Sequence, residues 1–219
     1  MATDNRSKHK KLRKFVLTGS VCVGKTTVIN LLSKQGYATF PEFSRALINE
    51  ELEKEKAGLT NPILPWTNPA VFQDVYAKRQ VVEENRIEAY LIKSKELNSK
   101  AVDSIDTSTC IFMDRCIVDG IAFCQHAKVT IPKEIDEHIQ KIRNEGVDYN
   151  LVFILEPLNQ YHFDEGRVLK PDESLAIQGL IEKSYKDYGY TLISVPFMSR
   201  KERVRFILDK VLEYENEME

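Results

Sequence analysis

The sequence of 219 residues lacks an excess of charge of either sign, with 31 basic and 33 acidic residues and a formal net charge of −2. This balance argues against nucleic acid or a membrane as a partner of the whole fold. No apolar run approaches the roughly 20 residues of a membrane-spanning helix, and no secretory signal precedes the first apolar segment. The four cysteines include no C-x-x-C pair, which indicates reduced thiols. We therefore expect a cytoplasmic protein.

The composition is that of a folded domain. A hydrophobic fraction of 42% and an aromatic fraction of 9% are enough for a substantial core. We expect one domain over residues 15–219, because no repeat or low-complexity segment divides the chain. Residues 1–14 contain the basic stretch "NRSKHKKLRK". This stretch predicts a frayed, solvated arm, with a contact to an anionic partner such as a membrane lipid as the alternative.

Short apolar runs alternate with helical stretches, a pattern typical of an α/β fold whose parallel sheet is covered on both faces. The predicted strands are Phe15–Thr18, Tyr37–Phe40, Cys110–Met113, Leu151–Leu155 and Thr191–Val195. The predicted helices are Lys25–Gln35, Ser44–Ala57, Pro69 to about Leu97, Pro132–Glu145, Asp172–Asp187 and Arg200–Tyr214. The connection Gly58–Thr67 is predicted to be a loop that either plugs the core or forms one wall of a pocket.

The stretch "GSVCVGKTT" follows the first predicted strand and opens a predicted helix. It matches the pattern G-x-x-x-x-G-K-[ST], whose backbone N–H groups hold the phosphates of a nucleotide. Lys25 is expected to reach the β- and γ-phosphates, and the Thr26 hydroxyl is expected to bind Mg²⁺. The sequence therefore predicts an ATP or GTP site formed by Gly19, Ser20, Val21, Cys22, Val23, Gly24, Lys25, Thr26 and Thr27.

Charged residues follow three of the predicted strands, where ligands bind in open α/β sheets. "PEFSR" places Glu42 and Arg45 after the second strand, and "FMDR" places Asp114 and Arg115 at the end of the third. Asp114 is the candidate that orients the Mg²⁺ shell, and Glu42 is the candidate general base. The arginines are expected to brace phosphate or substrate. Glu156 also ends a strand, but a structural turn before Pro157 explains it more simply.

The segment "FDEGRVLKP" comes immediately before a predicted helix. Acidic residues, a glycine and then Arg167 and Lys170 are typical of a mobile flap that brings positive charge over bound phosphates and excludes water. We expect a lid over about residues 160–171, with an ordinary polar loop as the alternative.

With these residues assembled, the chain resembles the NadR-like family of P-loop (AAA-domain) proteins. That family includes the ribosylnicotinamide kinase domain and the GTP-binding TRPL-translocation-defect protein. The resemblance rests on "GSVCVGKTT", "FPEFSR", "IFMDRCIVDG", "FILEP" with "DEGRVLKP", and "YKDYGYTLISVP", in this order. It implies a P-loop NTPase fold with a five-stranded parallel sheet of order 2-3-1-4-5, similar to nucleoside and nucleotide kinases.

The resemblance also implies residue roles. In deoxynucleoside kinases the acid after the second strand is the base, which corresponds to Glu42. A Phe-Gln pair on a helix reads the nucleobase in those enzymes, and "VFQDVYAKRQ" places Phe72 and Gln73 similarly. The third-strand motif departs from their Glu-Arg-Ser, because this chain has Asp114, Arg115 and Cys116. The departure leaves the substrate and the role of Arg115 open.

Three functions remain open at this stage. The first is a kinase that transfers the γ-phosphoryl group of ATP or GTP to a nucleoside-like or nucleotide-like acceptor, with Trp66, Phe72 and Tyr76 as pocket walls and NTP hydrolysis as an accompanying activity. The second is a nucleotide-dependent regulator, although no Asn-Lys-x-Asp segment follows "LVFILEP". The third is a nucleic-acid 5′-hydroxyl kinase, which the net charge disfavours. The oligomeric state stays open, a homodimer included.

Overall fold

A computed structural model describes residues 12–95, 101–102, 105–106, 110–157 and 171–218. The strands are β1 (Arg13–Thr18), β2 (Ala38–Phe40), β3 (Ala101–Val102), β4 (Ile105–Asp106), β5 (Cys110–Asp114), β6 (Tyr149–Leu155) and β7 (Leu192–Val195). The helices are α1 (Lys25–Lys34), α2 (Phe43–Lys56), α3 (Pro69–Lys95), α4 (Ile117–Ala127), α5 (Lys133–Asn144), α6 (Pro171–Asp187) and α7 (Arg200–Met218).

Five strands form one sheet in the order β2-β5-β1-β6-β7, and every neighbouring pair is parallel. Counted among themselves, these strands have the order 2-3-1-4-5 that the family resemblance implied. The two-residue strands β3 and β4 form a separate antiparallel pair that the sequence did not predict. The chain therefore has the P-loop fold of nucleoside and nucleotide kinases.

The sheet lies between two layers of helices because its strands are apolar on both faces. Successive strand side chains point to opposite faces, so Phe15 and Leu17 pack with α1 and α7, whereas Val16 packs with α4, α5 and α6. These side chains are inaccessible to solvent. Continuous apolar strands of this kind are typical of a parallel sheet covered on both sides.

Helix α4 is an element that the sequence patterns missed. Residues 117–122 are all buried, so the helix has no polar face to give a helical period over its first half. The strand β1 also begins earlier than predicted, at Arg13, because Lys14 is buried and pairs with Glu88. The other predicted elements are present with ends shifted by a few residues. Among the described residues, no helix has both the length and the apolar character of a membrane span.

Candidate active site

The phosphate loop connects β1 to α1 at the carboxyl edge of the sheet. Gly19 and Gly24 have φ angles of 128° and 90°, which favour glycine. A Cβ atom on Gly19 would lie 2.9 Å from the Leu155 carbonyl oxygen, so this position also has no room for a side chain. Gly24 forms the N-cap of α1. The loop therefore places the positive end of the helix at the carboxyl edge of the sheet.

The Lys25 ammonium is held beneath the loop by the loop's own carbonyl groups. Its Nζ donates to the Gly19 oxygen at 3.0 Å and to the Ser20 oxygen at 2.6 Å. Burial and the nearby Arg115 guanidinium lower the pKa of Lys25 to about 8, against the opposing effect of carboxylates that include Asp114. Lys25 is therefore charged at neutral pH and already oriented by the backbone that would hold phosphate.

Helix α6 holds the opposite side of the loop. The Ser20 N–H donates to Gln178 Oε1 at 2.6 Å, and the Ser174 hydroxyl donates to the Ser20 hydroxyl at 3.0 Å. Ser20 and Ser174 are buried. The first turns of α6 thus fix the start of the phosphate loop, and no sequence pattern pointed to these contacts.

Asp114 and Thr26 form a pair suited to a divalent cation. The Thr26 hydroxyl donates to Asp114 Oδ2 at 2.6 Å, whereas the buried Oδ1 has no hydrogen-bond partner among the described residues. Burial and the Glu42 carboxylate raise the pKa of Asp114 to about 6. A buried carboxylate with an unsatisfied oxygen beside a hydroxyl fits Mg²⁺, which binds one or two protein oxygens and completes its shell with water and phosphate.

That shell would have to come largely from the nucleotide and solvent. The described part of the chain contains no cluster of three His, Cys, Asp or Glu side chains that could hold a metal ion by itself. Thr26 lines the cavity described below, and Asp114 is buried behind it. Thr26 and Asp114 are therefore adjacent at the edge of the cavity, and their assignment to Mg²⁺ stays a prediction.

Glu42 and Arg115 come together from neighbouring strands. Arg115 Nε donates to Glu42 Oε1 at 3.1 Å, and the Ser44 hydroxyl donates to the same oxygen at 2.8 Å. Burial raises the pKa of Glu42, but the charges of Arg115 and Lys25 outweigh it, so the pKa lies below its ordinary value. Glu42 is therefore ionised at neutral pH while its side chain remains partly accessible.

Arg115 is held by a second carboxylate that the sequence patterns did not single out. Its Nη1 donates to Asp119 Oδ1 at 2.7 Å, one turn further along the chain. Asp119 also accepts hydrogen bonds from the Thr18 hydroxyl and the Tyr185 hydroxyl. Burial lowers the pKa of Arg115, but Asp119 and Glu42 outweigh that effect and hold the pKa above its ordinary value. The guanidinium is thus a permanent buried cation that fixes the Glu42 carboxylate.

The backbone of Arg115 is also unusual. Its φ angle of 71° is in the left-handed region, and its N–H donates to the Leu17 oxygen at 3.0 Å. Non-glycine residues in this region cost conformational energy and occur often at functional sites. The turn aims the side chain back across the end of the sheet toward Glu42. Asp119 lies in the first turn of α4 and accepts the Cys116 N–H in a capping box, so its spacing from Cys116 was a sequence signal that could be used only if the start of α4 had been recognised.

A cavity of about 590 Å³ extends from the phosphate loop to the loop before α3. At one end it is lined by Val21, Cys22, Gly24, Lys25, Thr26 and Thr27. At the other end it is lined by Glu42, Arg45, Trp66, Phe72, Gln73, Tyr76 and Arg115. The remaining loop residues, Gly19, Ser20 and Val23, are outside the lining. Trp66 is 40% exposed and Gln73 only 6%, so the cavity has an open aromatic rim and a buried amide.

Comparison of the sequence with models of protein families identifies the family of this chain. A family model described as an AAA domain matches residues 14–203. The chain belongs to this AAA-domain family. The match contains the phosphate loop, the Glu42–Arg115 pair and every described residue predicted for the site. No curated protein matches the AAA-domain chain by sequence.

Solved structures are similar in fold at low sequence identity. The NadR protein in complex with NAD and AMP-PNP is 15% identical with a TM-score of 0.54, over 93% of this chain and 49% of that one. Thymidylate kinase from Candida albicans is 12% identical with a TM-score of 0.59, over 94% and 93%. Deoxyadenosine kinase from M. mycoides is 15% identical with a TM-score of 0.53, over 91% and 99%. This AAA-domain chain spans about half the length of the NadR protein.

Some predicted features lie outside the described residues. They are residues 160–170 of the predicted lid over about residues 160–171, with Arg167, and residues 1–11 of the basic arm. Glu156 is described, and its carboxylate accepts hydrogen bonds from the Ser194 hydroxyl at 3.2 Å and the Phe197 N–H at 3.1 Å. These contacts support the interpretation of Glu156 as a structural residue. The connection Gly58–Thr67 contributes both to the core and to the wall of the cavity, because Leu64 is in the core and Trp66 lines the cavity.

Proposed function

We propose that this chain is a phosphotransferase that moves the γ-phosphoryl group of ATP or GTP to a hydroxyl group of a nucleoside-like or nucleotide-like small molecule. The observation that carries the proposal is the single cavity that joins the phosphate loop to the Glu42–Arg115 pair and an aromatic wall. A donor triphosphate and a flat acceptor would meet within it. The P-loop kinase-like fold supports the same reaction class.

The donor half of the site consists of the phosphate loop, Lys25 and the Thr26–Asp114 pair. Backbone N–H groups of the loop and the N-terminal end of α1 would hold the phosphates. Lys25 would leave one of its two carbonyl contacts and reach the β- and γ-phosphates. Thr26 and Asp114 would hold Mg²⁺, which supplies positive charge to the same phosphate oxygens when bound.

The acceptor half of the site has Glu42 as its base. Its ionised carboxylate would take the proton from the acceptor hydroxyl as that oxygen attacks the γ-phosphorus. The bond from this phosphorus to the bridging oxygen breaks, and the nucleoside diphosphate leaves. Arg115 would keep the carboxylate in place, since it donates to Glu42 and Asp119 at once. Arg167 is proposed as a lid cation on sequence grounds alone.

The aromatic end of the cavity suits a planar acceptor. Trp66 and Phe72 would stack against a flat ring. Gln73 would read the edge of that ring with its amide, because this buried side chain lines the cavity. Arg45 also lines the cavity, one turn beyond Glu42 on α2, and would brace a substrate oxygen.

The test is acceptor-dependent release of nucleoside diphosphate. The protein is incubated with Mg·ATP or Mg·GTP and a panel of nucleosides, nucleotides and oligonucleotides, and the product is identified by mass. We expect release with at least one nucleoside or nucleotide and none with oligonucleotides. Lys25→Ala should abolish release by removing the phosphate-binding ammonium, while Lys34→Ala, on the exposed end of the same helix, should not.

Two outcomes would overturn the proposal. Nucleotide binding without release across the panel would indicate a nucleotide-dependent regulator. Phosphorylation of oligonucleotides alone would indicate a nucleic-acid kinase.

A further inference from the structure

Arg203 is buried at a position where an unpaired charge would cost desolvation free energy. It lies on α7, is 2% exposed and is one of the largest fully buried side chains of the described residues. Burial lowers its pKa, opposed by the charge of Glu156. Arginine is rarely buried without a partner, because desolvation of the charge must be compensated. The question is what the guanidinium does there.

Its two terminal nitrogens bind backbone oxygens of two different loops. Nη1 donates to the Val23 oxygen at 2.6 Å, and Nη2 donates to the Glu156 oxygen at 3.1 Å. The third nitrogen, Nε, is buried and makes no hydrogen bond to a described residue. Arg203 therefore joins the middle of the phosphate loop to the end of β6.

The contact to Val23 has a consequence for the next residue. In a planar trans peptide the carbonyl and the following N–H point in opposite directions, and the described chain has no cis peptide. The Val23 carbonyl points to Arg203, so the Gly24 N–H points away from it. Gly24 lines the cavity, whereas Val23 is 1% exposed and does not. The Gly24 N–H is thus directed to the phosphate side of the loop.

We infer that Arg203 is a positioning residue for nucleotide binding: from behind the phosphate loop it fixes the Val23–Gly24 peptide so that the Gly24 N–H faces the phosphates, and it adds buried positive charge beneath them. Helix α6 acts on the start of the loop in the same way. Gln178 binds the Ser20 N–H, and the preceding Gly19 carbonyl turns inward to Lys25. The inference rests on the nucleotide-binding part of the proposed function and not on the acceptor.

The test is calorimetric binding of Mg·ATP and Mg·GTP, using whichever binds the native chain more tightly. Arg203→Met removes the charge and both guanidinium hydrogen bonds while keeping an unbranched apolar side chain, and we expect the Kd to rise about tenfold to a hundredfold. Arg203→Lys keeps the charge and one donor, so we expect partial rescue, with a rise of about threefold to tenfold. The melting temperature of each variant is measured alongside.

Two controls separate this role from general support of α7. Val211→Ala makes a cavity two turns further along the helix, where Val211 is fully buried. It should lower the melting temperature by about 5 °C and leave the Kd within about twofold. Arg205→Met removes an exposed charge next to the same segment and should change neither quantity.

The Kd values of the variants decide whether the inference about Arg203 holds. A Kd within about twofold of native for Arg203→Met overturns the inference, and so does a parallel loss for Val211→Ala. Where Arg203→Met does not fold, native-like affinity of Arg203→Lys overturns it equally. If the native chain binds neither nucleotide, the proposed function itself is overturned. If the native chain binds and the Arg203→Met variant binds equally well, only the inference about Arg203 is overturned.

Discussion

Two clusters of buried charge lie at opposite ends of the same sheet, and they are built differently. The carboxyl-end cluster consists of Lys25, Glu42, Asp114, Arg115 and Asp119 and adjoins the cavity. The amino-end cluster consists of Glu84, His138, Tyr149, Lys14 and Glu88, and none of its members lines the cavity.

The two clusters differ in how the buried carboxylates of Glu84 and Asp114 are hydrogen-bonded. In the amino-end cluster, Gln80 donates to one oxygen of Glu84 at 2.9 Å, while His138 at 3.1 Å and Tyr149 at 2.9 Å share the other. Burial raises the pKa of Glu84, but the hydrogen bond from His138 and the charges nearby outweigh it and lower the pKa. Asp114 is buried similarly, has one oxygen without a partner, and has a raised pKa. Burial alone therefore does not distinguish the candidate active site from the amino-end cluster, whereas the unsatisfied oxygen of Asp114 beside the cavity does.

Next to the loss of release expected for Lys25→Ala, the largest effect is expected for Glu42→Gln, which also tests the carboxyl-end cluster. The amide keeps the shape of the side chain but cannot accept the proton, so turnover should fall by about 10²–10⁴-fold. The Kd of the Mg·nucleotide should change little. Glu53→Gln, on the exposed face of α2, is the matched control. Normal turnover of Glu42→Gln in the acceptor assay would show that another group is the base.

Glu84→Gln is expected to lower stability and to leave turnover unchanged, because the amino-end cluster is structural. Removing the charge leaves His138 facing a neutral amide in the core, and the free energy of unfolding should fall by about 2–3 kcal/mol. Turnover and nucleotide affinity should stay near native values. Urea unfolding at pH 7 measures the change, with the partly exposed Glu83→Gln on the same helix as control. Impaired nucleotide affinity would contradict the division into two kinds of cluster.

The same variant makes a pH prediction. Because the pKa of Glu84 is lowered in the folded chain, its carboxylate contributes stability above the ordinary value of 4.5, and this stability is lost as the pH falls through the lowered pKa. The difference in unfolding free energy between native and Glu84→Gln should be constant at neutral pH and shrink below pH 4.5. An equal difference at all pH values would mean that charge at Glu84 is not the cause.

The two clusters also differ in how far the sequence predicts them. The phosphate loop, Glu42 and Asp114 follow short apolar strands, so a pattern of strand ends was enough to bring them to one edge. The partners Asp119 and Gln178 needed an unrecognised helix in one case and a contact over 158 residues in the other. The amino-end cluster joins α3, α5 and β6 through side chains with no shared motif. Local patterns predict backbone elements, whereas buried side-chain networks depend on how those elements pack.

A smaller effect is expected for Asp114→Asn, which removes the unsatisfied charge of the carboxyl-end cluster. Burying this carboxylate in ionised form costs free energy, as its raised pKa indicates, so the nucleotide-free variant should be more stable than native by about 2 kcal/mol at pH 8. Mg²⁺-dependent nucleotide binding should weaken by about tenfold, because a neutral oxygen is a poorer ligand for Mg²⁺. Thermal unfolding and calorimetry test the two parts; a destabilised Asp114→Asn would contradict the cost assigned to the buried charge.

Deleting residues 1–11 is expected to have the smallest effect, and it locates the edge of the amino-end cluster. The sequence predicts that these residues form a solvated arm, so turnover should stay within about twofold and unfolding within about 0.5 kcal/mol of the full chain. Deleting residues 1–14 removes Lys14, which pairs with Glu88 at 2.6 Å and lies over the Tyr149 ring. It also removes Leu12, which is 4% exposed. The longer deletion should therefore clearly lower the free energy of unfolding. If deletion of residues 1–11 abolished turnover while the fold stayed intact, the arm would have to contact a substrate or the lid.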